Sequence, residues 1–425
     1  MYRFVDAAVV RAVTHTSGLD IPPWPDLTGS TSEHVAQWVR WLDQVWAQDA
    51  IAAAVEVASP VLARRVREVC AGHERRAHQV RRAVVSVVRY LLRMTSRATP
   101  FGLFAGVAPA RFGSELAVRF GEDHHAVARV EAEWLADMIT RLETCSELRS
   151  RLPVVLNNLS FVRDGRLVVD CQQQPVGSAR SVPAEVSVRH TRAVETVMQA
   201  ARSPIGVGDL AGKLIADFPG TPESVIEGRL AELVAQRILV TSLRPPMTVT
   251  DPLAYVLGEL TVVGAEEVPQ AVLLFEELRE VHVVLSRHNR SSSPAVGRDL
   301  RSFVSRRMAA ISSTERPLTV DLRVDCALVL PRAVAREAET AAVALTRLTP
   351  YPYGSPAWRD YHTRFLERYG IGALVPVLEI LNADIGLGFP AGYRDSLLEL
   401  HVPGLRPPEL GSRSQLRLSQ AVLIS

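Results

Sequence analysis

The sequence predicts an α+β fold divided among more than one domain. Helical periodicity and strand-like alternation come in separate clusters and do not alternate regularly, which argues against a βαβ architecture. A length of 425 residues with 47% hydrophobic residues supplies two or three cores of ordinary size. Three strand-like runs followed by three short helical patterns between residues 160 and 236 further predict an embedded winged helix-turn-helix element.

Residues 1–30 start extended (YRFVDAAVVRA) and pass into a loop holding Pro22, Pro23 and Pro25. Helical patterns cover 31–58 and 59–97, the second entered through Ser59 as N-cap with Pro60 at its first helical position. Thr99 precedes Pro100, which disfavours helical backbone, so this helix ends near Arg97. Short β-like runs follow (FGLFAGVAPARF, ELAVRF, HAVARVE), then an amphipathic helix from Glu131 to Leu148.

FVRDGRLVVDC reads as a hairpin about Asp164-Gly165, and EVSVRH at 185–190 as a third strand. Helical patterns at 191–201, 207–218 and 221–236 complete the winged helix, the last with Thr221 as cap and Pro222 at its first position. LRPPMTVTDP is a linker. Beyond it lie a helix at 269–282, a Ser-rich loop (HNRSSSPAVG), a helix from Arg298 to Ile311, one strand (LTVDLRVDCALVL) and a long helix (RAVAREAETAAVALTRL). The domains are therefore expected at 1–150, 151–245 and 246–425.

The 48 basic and 46 acidic residues nearly cancel, so any nucleic-acid surface must be local. All basic residues but Lys213 are arginine, so arginine as such carries little information and only its placement counts. Cys70, Cys145, Cys171 and Cys326 have no metal-like spacing, which predicts unpaired thiols, no disulfide and no zinc. The N-terminus has no signal-like apolar run and no stretch approaches the ~18 apolar residues of a membrane span, so a cytoplasmic location is expected. There is no Walker loop, GxGxxG or HExxH, and no metal or cofactor is expected.

The densest feature is an arginine stripe. Arg64, Arg65, Arg67, Arg75, Arg76, Arg81, Arg82, Arg89, Arg93 and Arg97 face only Glu68 and Glu74. Arg89, Arg93 and Arg97 recur every fourth residue on one helix face, while Val84, Val88, Leu91 and Leu92 are available to the core. Like charges at this spacing repel, so the face is either a solvated or internally paired surface or a seat for phosphates, which guanidinium groups bind bidentately. Asp321 and Asp325 share one strand face and are candidate partners for these arginines. His124 and His125 point in different directions on a strand and suit a loop end better than a metal pair. His282 and His288 sit near Arg287 and Arg290 beside the Ser-rich loop.

RYLLRMTSRATPFGLFAGV, Arg89 to Val107, resembles the signature of the lantibiotic dehydratase family, the tRNA-dependent dehydratases of class I lanthipeptide and thiopeptide biosynthesis. WRDYHTRFLERYGIGALVPVLEILNADIGLGFPAGY, Trp358 to Tyr393, resembles a second hallmark of the same N-terminal region; VDLRVD and the VVRA around Arg11 are weaker matches. The resemblance implies a module that takes glutamate from glutamyl-tRNA and esterifies Ser or Thr side chains of a precursor peptide. A separate elimination module then leaves dehydroalanine or dehydrobutyrine. It implies glutamylation roles for Arg93, Arg97 and Thr99, and acceptor-stem contacts for Arg11, Arg81, Arg82 and Arg89. Glutamyl-tRNA would be the co-substrate.

For the winged helix the competing class is DNA binding, but Glu223, Glu227 and Glu232 on the third helix would face phosphates. The resemblance implies a leader-peptide recognition element instead, with Val186, Val188, Val225, Arg229 and Glu232 forming the groove and the leader adding as a strand. The motifs belong to the first part of such a module. The expectation is thus a subunit of a split dehydratase that works with a companion chain. A noncatalytic leader-binding adaptor and an aminoacyl-tRNA-dependent peptide ligase are the alternatives.

Overall fold

The computed structural model describes residues 2–15, 20–29, 31–74, 76–172, 184–351 and 354–393, without the side chains of 170–172 and 184. Helices and antiparallel-rich sheets segregate, as an α+β fold requires, and the chain divides into two compact units, Met1–Val343 and Ala344–Ser425.

The chain opens with β1 (Ala8–Val13) and four helices: α1 (Ser32–Trp46), α2 (Asp49–Ala58), α3 (Pro60–Cys70) and α4 (Ala77–Ser96). They enclose a core of Trp38, Leu42, Ile51, Val66, Val80, Val84, Val87 and Leu91. The two long helical patterns thus resolve into four helices. Ser59 does cap α3, accepting from the Leu62 amide at 3.3 Å with Pro60 at the first position. That helix ends early because Gly72, at φ 78°, closes a Schellman motif: the His73 amide donates to the Glu68 carbonyl at 2.9 Å and the Gly72 amide to Val69 at 3.0 Å. Extended backbone at Gln48 separates α1 from α2.

Next come β2 (Ala105–Gly113), β3 (Ala117–Phe120) and β4 (His125–Val130). Then α5 (Ala132–Thr144) and α6 (Ser146–Arg151) lead to β5 (Pro153–Leu156), β6 (Ser160–Arg163), β7 (Arg166–Gln172) and β8 (Ala184–Arg189). Asp164 and Gly165 both take positive φ, 48° and 69°, as the expected tight hairpin turn between β6 and β7 demands. Three helices follow, α7 (Arg192–Ala200), α8 (Val207–Asp217) and α9 (Glu223–Ala235), with the short strands β9 (Ile205–Gly206) and β10 (Leu239–Thr241). Thr221 does not cap α9; Pro222 occupies that place and the amides of Val225 and Ile226 bond its carbonyl. Two three-stranded sheets, β6-β7-β8 and β10-β5-β9, pack with α7, α8 and α9 around Leu167, Val169, Leu210, Leu230 and Ile238.

Past the linker lies a helix that the sequence reading omitted, α10 (Pro252–Val262), capped by Asp251, which accepts from the Ala254 amide at 3.0 Å. α11 (Val272–Arg290) and α12 (Pro294–Ile311) are longer than expected, so the loop shrinks to three serines, of which Ser293 caps α12. With α5 and α10 they bury Trp134, Met138, Val256, Leu278, Val281 and Met308, each worth about 1.5–3 kcal/mol. The expected single strand is two, β11 (Leu318–Arg323) and β12 (Cys326–Pro331), before α13 (Arg332–Leu348). In the second unit, α14 (Pro356–Tyr369) precedes α15 (Val377–Leu381).

The largest sheet runs β3-β12-β2-β11-β4, with β1 also on β2. β2 lies at its centre, parallel to β11 and β12 and antiparallel to β1. At Gly106 the strands approach so closely that a Cβ would stand 2.1 Å from the Leu322 carbonyl oxygen. On the edge strand β4, the Asn289 side chain bonds both the amide and the carbonyl of Ala128, at 2.8 and 2.9 Å. Buried His288 meets the Asn289 side-chain oxygen through Nδ1 at 2.8 Å and the Arg301 guanidinium through Nε2 at 2.8 Å. Arg301 can only donate, so Nε2 of His288 accepts and the imidazole is neutral. Burial is the main cause of its lowered pKa; Arg301 and His125 push the same way against the opposing Asn289 bond.

Gly106→Ala should lower stability by about 3 kcal/mol in denaturant melts, because backbone must move. Gly212→Ala on α8, where a Cβ meets nothing within 4 Å, should instead raise it by about 1 kcal/mol. His288 stays neutral when folded while the unfolded chain titrates near the ordinary 6.5, so the unfolded state takes the proton first and stability falls as pH drops below that value. Melts at pH 5.5 and 7.5 should draw closer together in His288→Gln, leaving the slope from His15, whose pKa is also lowered chiefly by burial.

Candidate functional site

On α4, Val80, Ala83, Val84, Val87, Leu91 and Met94 face the core, which turns the arginines outward. Val88 packs partly against that core, but Leu92 is 51% exposed and belongs to the arginine face, one position off the apolar stripe. Arg81 and Arg82 are exposed; Arg81 donates from Nε to the Leu27 carbonyl at 3.0 Å. The side chains of Arg82, Arg89 and Arg97 have no hydrogen-bond or ion-pair partner among the described residues. Arg67 and Arg76, by contrast, pair with Glu56 and Glu74. Asp321 and Asp325 do not serve the stripe: Asp321 pairs with Arg129 at 3.0 Å and Asp325 with Arg119 at 2.7 Å. Asp325 has left the strand for the turn after Arg323, so the two carboxylates share no strand face. Arg119 holds the Asp325 carboxyl below its usual range.

Arg93 sits where helix meets sheet. α4 stops at Ser96, Arg97 and Thr99 are exposed, and Pro100 leads into a turn in which Phe101 bridges Ala105 around Gly102, at φ 52°. The Phe101 amide donates to the Ala105 carbonyl at 3.0 Å and the Phe104 amide back to Phe101 at 3.0 Å. The Arg93 guanidinium lies 4.4 Å from the Phe101 ring centre, and Phe101 stacks on buried Phe104 at 5.9 Å. Its Nε is buried without a partner. Burial, then the like charge of Arg97, lowers its pKa; the group stays cationic, so the shift marks an uncompensated charge.

A polar relay that the sequence reading missed meets the same turn. The Thr14 amide and hydroxyl both bond the Phe104 carbonyl, at 3.1 and 3.2 Å, and Thr14 Oγ1 lies 2.9 Å from His15 Nδ1. The hydroxyl proton is committed to a carbonyl, so His15 donates from Nδ1 and its Nε2 is left as an acceptor. His124 accepts from the Asp325 amide at 3.1 Å and donates to the Thr14 carbonyl at 3.2 Å. No spacing rule connects residue 14 with residue 104; the β1–β2 pairing does. Arg11 is exposed on β1, opposite Val107 of the signature.

In the second region, Val186 and Val188 lie on β8, the terminal strand of its sheet, opposite Val169 and Leu167. Val188 packs partly against the core that contains Leu230 and Leu233 of α9. Val225 is 47% exposed, and Arg229 and Glu232 pair with each other at 2.7 Å. Among the described residues no group of three or more His, Cys, Asp or Glu side chains is arranged to hold a metal. Cys70, Cys145 and Cys326 are free thiols, with burial and Asp43 pushing Cys70 up to about 12.

The family model for the N terminus of lantibiotic dehydratases matches residues 47–423. The chain belongs to that family. It is 28% identical over 313 residues to the subtilin biosynthesis protein SpaB of Bacillus subtilis, covering 72% of this chain and 29% of SpaB. The tRNA-dependent lantibiotic dehydratase MibB from Microbispora sp. 107891 superposes with a TM-score of 0.78 at 33% identity over 99% of this chain and 38% of MibB. The glutamylation domain TbtB from thiomuracin biosynthesis shares the fold, with a TM-score of 0.54 at 18% identity over 92% of this chain and 48% of that one. The chain spans less than a third of SpaB's length.

Both family motifs fold as units. In the second, the Tyr361 hydroxyl donates to the Gly388 carbonyl at 2.8 Å, Arg368 donates to Ile385 at 2.9 Å, and a Cβ on Gly386 would stand 2.0 Å from the Glu379 carbonyl. These contacts are internal to the motif, and the last accounts for Gly386. In the dehydratase signature, by contrast, the arginines are left uncompensated. Arg93→Met should therefore leave the melting temperature unchanged or raise it. Relief of repulsion and of the orphaned Nε offsets the loss of a cation–π contact worth about 0.5–1 kcal/mol. A loss above about 2 kcal/mol would make Arg93 a structural residue.

Proposed function

We propose that this chain is the glutamyl-tRNA-binding and precursor-binding part of a lantibiotic dehydratase, acting with a companion segment or chain that supplies the rest of the glutamylation module and the elimination module. The observation that carries the reading is the row of uncompensated arginines, Arg82, Arg89, Arg93 and Arg97, of which Arg93 is seated on the signature turn with a buried, partnerless Nε. A face that repels itself and is retained on a rigid scaffold is suited to a polyanion.

The chemistry asks little more of the site. The aminoacyl ester of glutamyl-tRNA is already activated, so the protein must align a Ser or Thr hydroxyl with the ester carbonyl and stabilise the developing oxyanion. In this reading Arg93 and Arg97 stabilise that charge, with Thr99 as hydroxyl donor, while Arg11, Arg81, Arg82 and Arg89 hold phosphates. In Arg81 that role competes with its bond to Leu27.

The winged-helix reading of β6 to α9 makes this region the leader-recognition element. The edge of β8, unpaired among the described residues, supports it, since an extended peptide can add there through main-chain bonds beside Val186, Val188 and Val225. Arg229 and Glu232, already paired, would have to open to read side chains. Glu223 and Glu227 on α9 weigh against DNA.

The test is a gel shift of the chain, alone and with its companion, against glutamyl-tRNA and bulk tRNA at two salt concentrations. Binding should weaken steeply with salt and fall about tenfold or more in the Arg93→Ala/Arg97→Ala double variant. If no tRNA binds at either salt while a precursor leader still does, the chain is a peptide-binding adaptor.

A further inference from the structure

The six-stranded sheet buries one face only. Even-numbered residues of β1, β2 and β11, such as Ala108 and Leu322, point into the core, while Val9, Arg11, Val107, Pro109, Arg111, Asp321 and Arg323 are exposed on the other side. Arg11 and Arg323 stand directly opposite Val107 from its two sides, and Arg111 lies four residues further along β2 on the same face. The same face treats its arginines in two ways. Arg129 is neutralised by Asp321 at 3.0 Å and Arg119 by Asp325 at 2.7 Å, whereas the side chains of Arg11, Arg111 and Arg323 have no partner among the described residues.

The geometry points to a phosphodiester backbone as the occupant. Two strand spacings separate Arg11 from Arg323 by roughly 10 Å, and four residues of rise separate Val107 from Arg111 by roughly 13 Å. Three arginines whose backbone positions are spread over that distance offer more cationic surface than a single small anion needs. They can each take a phosphate along an extended chain, bidentately and without reading sequence. We propose that this open sheet face, through Arg111 and Arg323 together with Arg11, is a tRNA-backbone contact surface additional to the arginine face of α4. The proposal rests on the tRNA-dependent reading above and adds two residues and a second element to it.

The experiment measures the affinity of the full chain for a fluorescent glutamate-tRNA transcript at several salt concentrations between about 50 and 200 mM. Each lost phosphate contact lowers the slope of log affinity against log salt by about 0.7–0.9. Arg111→Gln/Arg323→Gln should lower it by about 1.5, while Arg202→Gln/Arg290→Gln, matched in charge and placed on α7's exit and the end of α11, leaves it unchanged. Thermal melts confirm that both fold. Equal losses in the two double variants would mean a general charge effect and would overturn the proposal. So would competition by poly-glutamate as effective as by tRNA. An unchanged slope in Arg111→Gln/Arg323→Gln, with Arg89→Gln/Arg93→Gln weakened, rejects the sheet face and leaves the tRNA reading standing. No salt-dependent binding by the unaltered chain removes both.

Discussion

The turn from Phe101 to Phe104, closed by the Phe101–Ala105 bridge and covered by the Arg93 guanidinium, joins a helix buried in one core to a strand at the centre of the largest sheet. Phe104 is buried among the residues of the helical core, and two residues later Gly106 lets β2 and β11 approach backbone to backbone. The arginine helix therefore cannot slide or rotate without disturbing both cores. Because the turn is tight, Arg97 and Thr99 are held at its rim, and because the carbonyl of Phe104 binds Thr14, the end of β1 is held there as well.

Electrostatics gives that corner its character. Many arginines of this chain are answered: Arg244 meets buried Glu143 at 2.5 Å, Arg307 meets Glu277 at 2.8 Å and Arg298 meets Asp49 at 2.9 Å. Arginines without a partner among the described residues occur elsewhere too, Arg40, Arg202 and Arg290 among them, but on the outer face of α4 and on the open face of the sheet several share one face. Leaving like charges unanswered costs stability without any return inside the chain, so the partner is to be sought outside it.

The two family motifs differ in how their residues are used. In the motif around α14 and α15, tyrosine and arginine side chains donate to main-chain carbonyls of the motif itself and Gly386 leaves room for another, which makes it a packing device. In the signature around α4, the aromatic and glycine residues do the packing and free the arginines. A shared family pattern thus mixes residues that shape the scaffold with residues that face a ligand, and only their contacts separate the two.

Local signals determined much of the architecture: the cap at Ser59, the Asp164-Gly165 hairpin and the end of α4 before Pro100 depend on near neighbours and were legible in the sequence. Other local signals were present and passed over, among them Gly72 as the stop of α3 and Asp251-Pro252 as the start of α10. The arginine spacing on α4 was equally legible, but whether the charges were paired was not. Asp321 and Asp325 looked available to them until Arg129 and Arg119, 192 and 206 residues away in sequence, took both. The His15–Thr14–Phe104 relay and the alignment of Arg11, Arg111 and Arg323 depend on strand pairing between distant segments. Periodicity determines which face of an element is apolar; only long-range register decides which charged groups meet, because pairing is a distance between residues that the chain itself does not order.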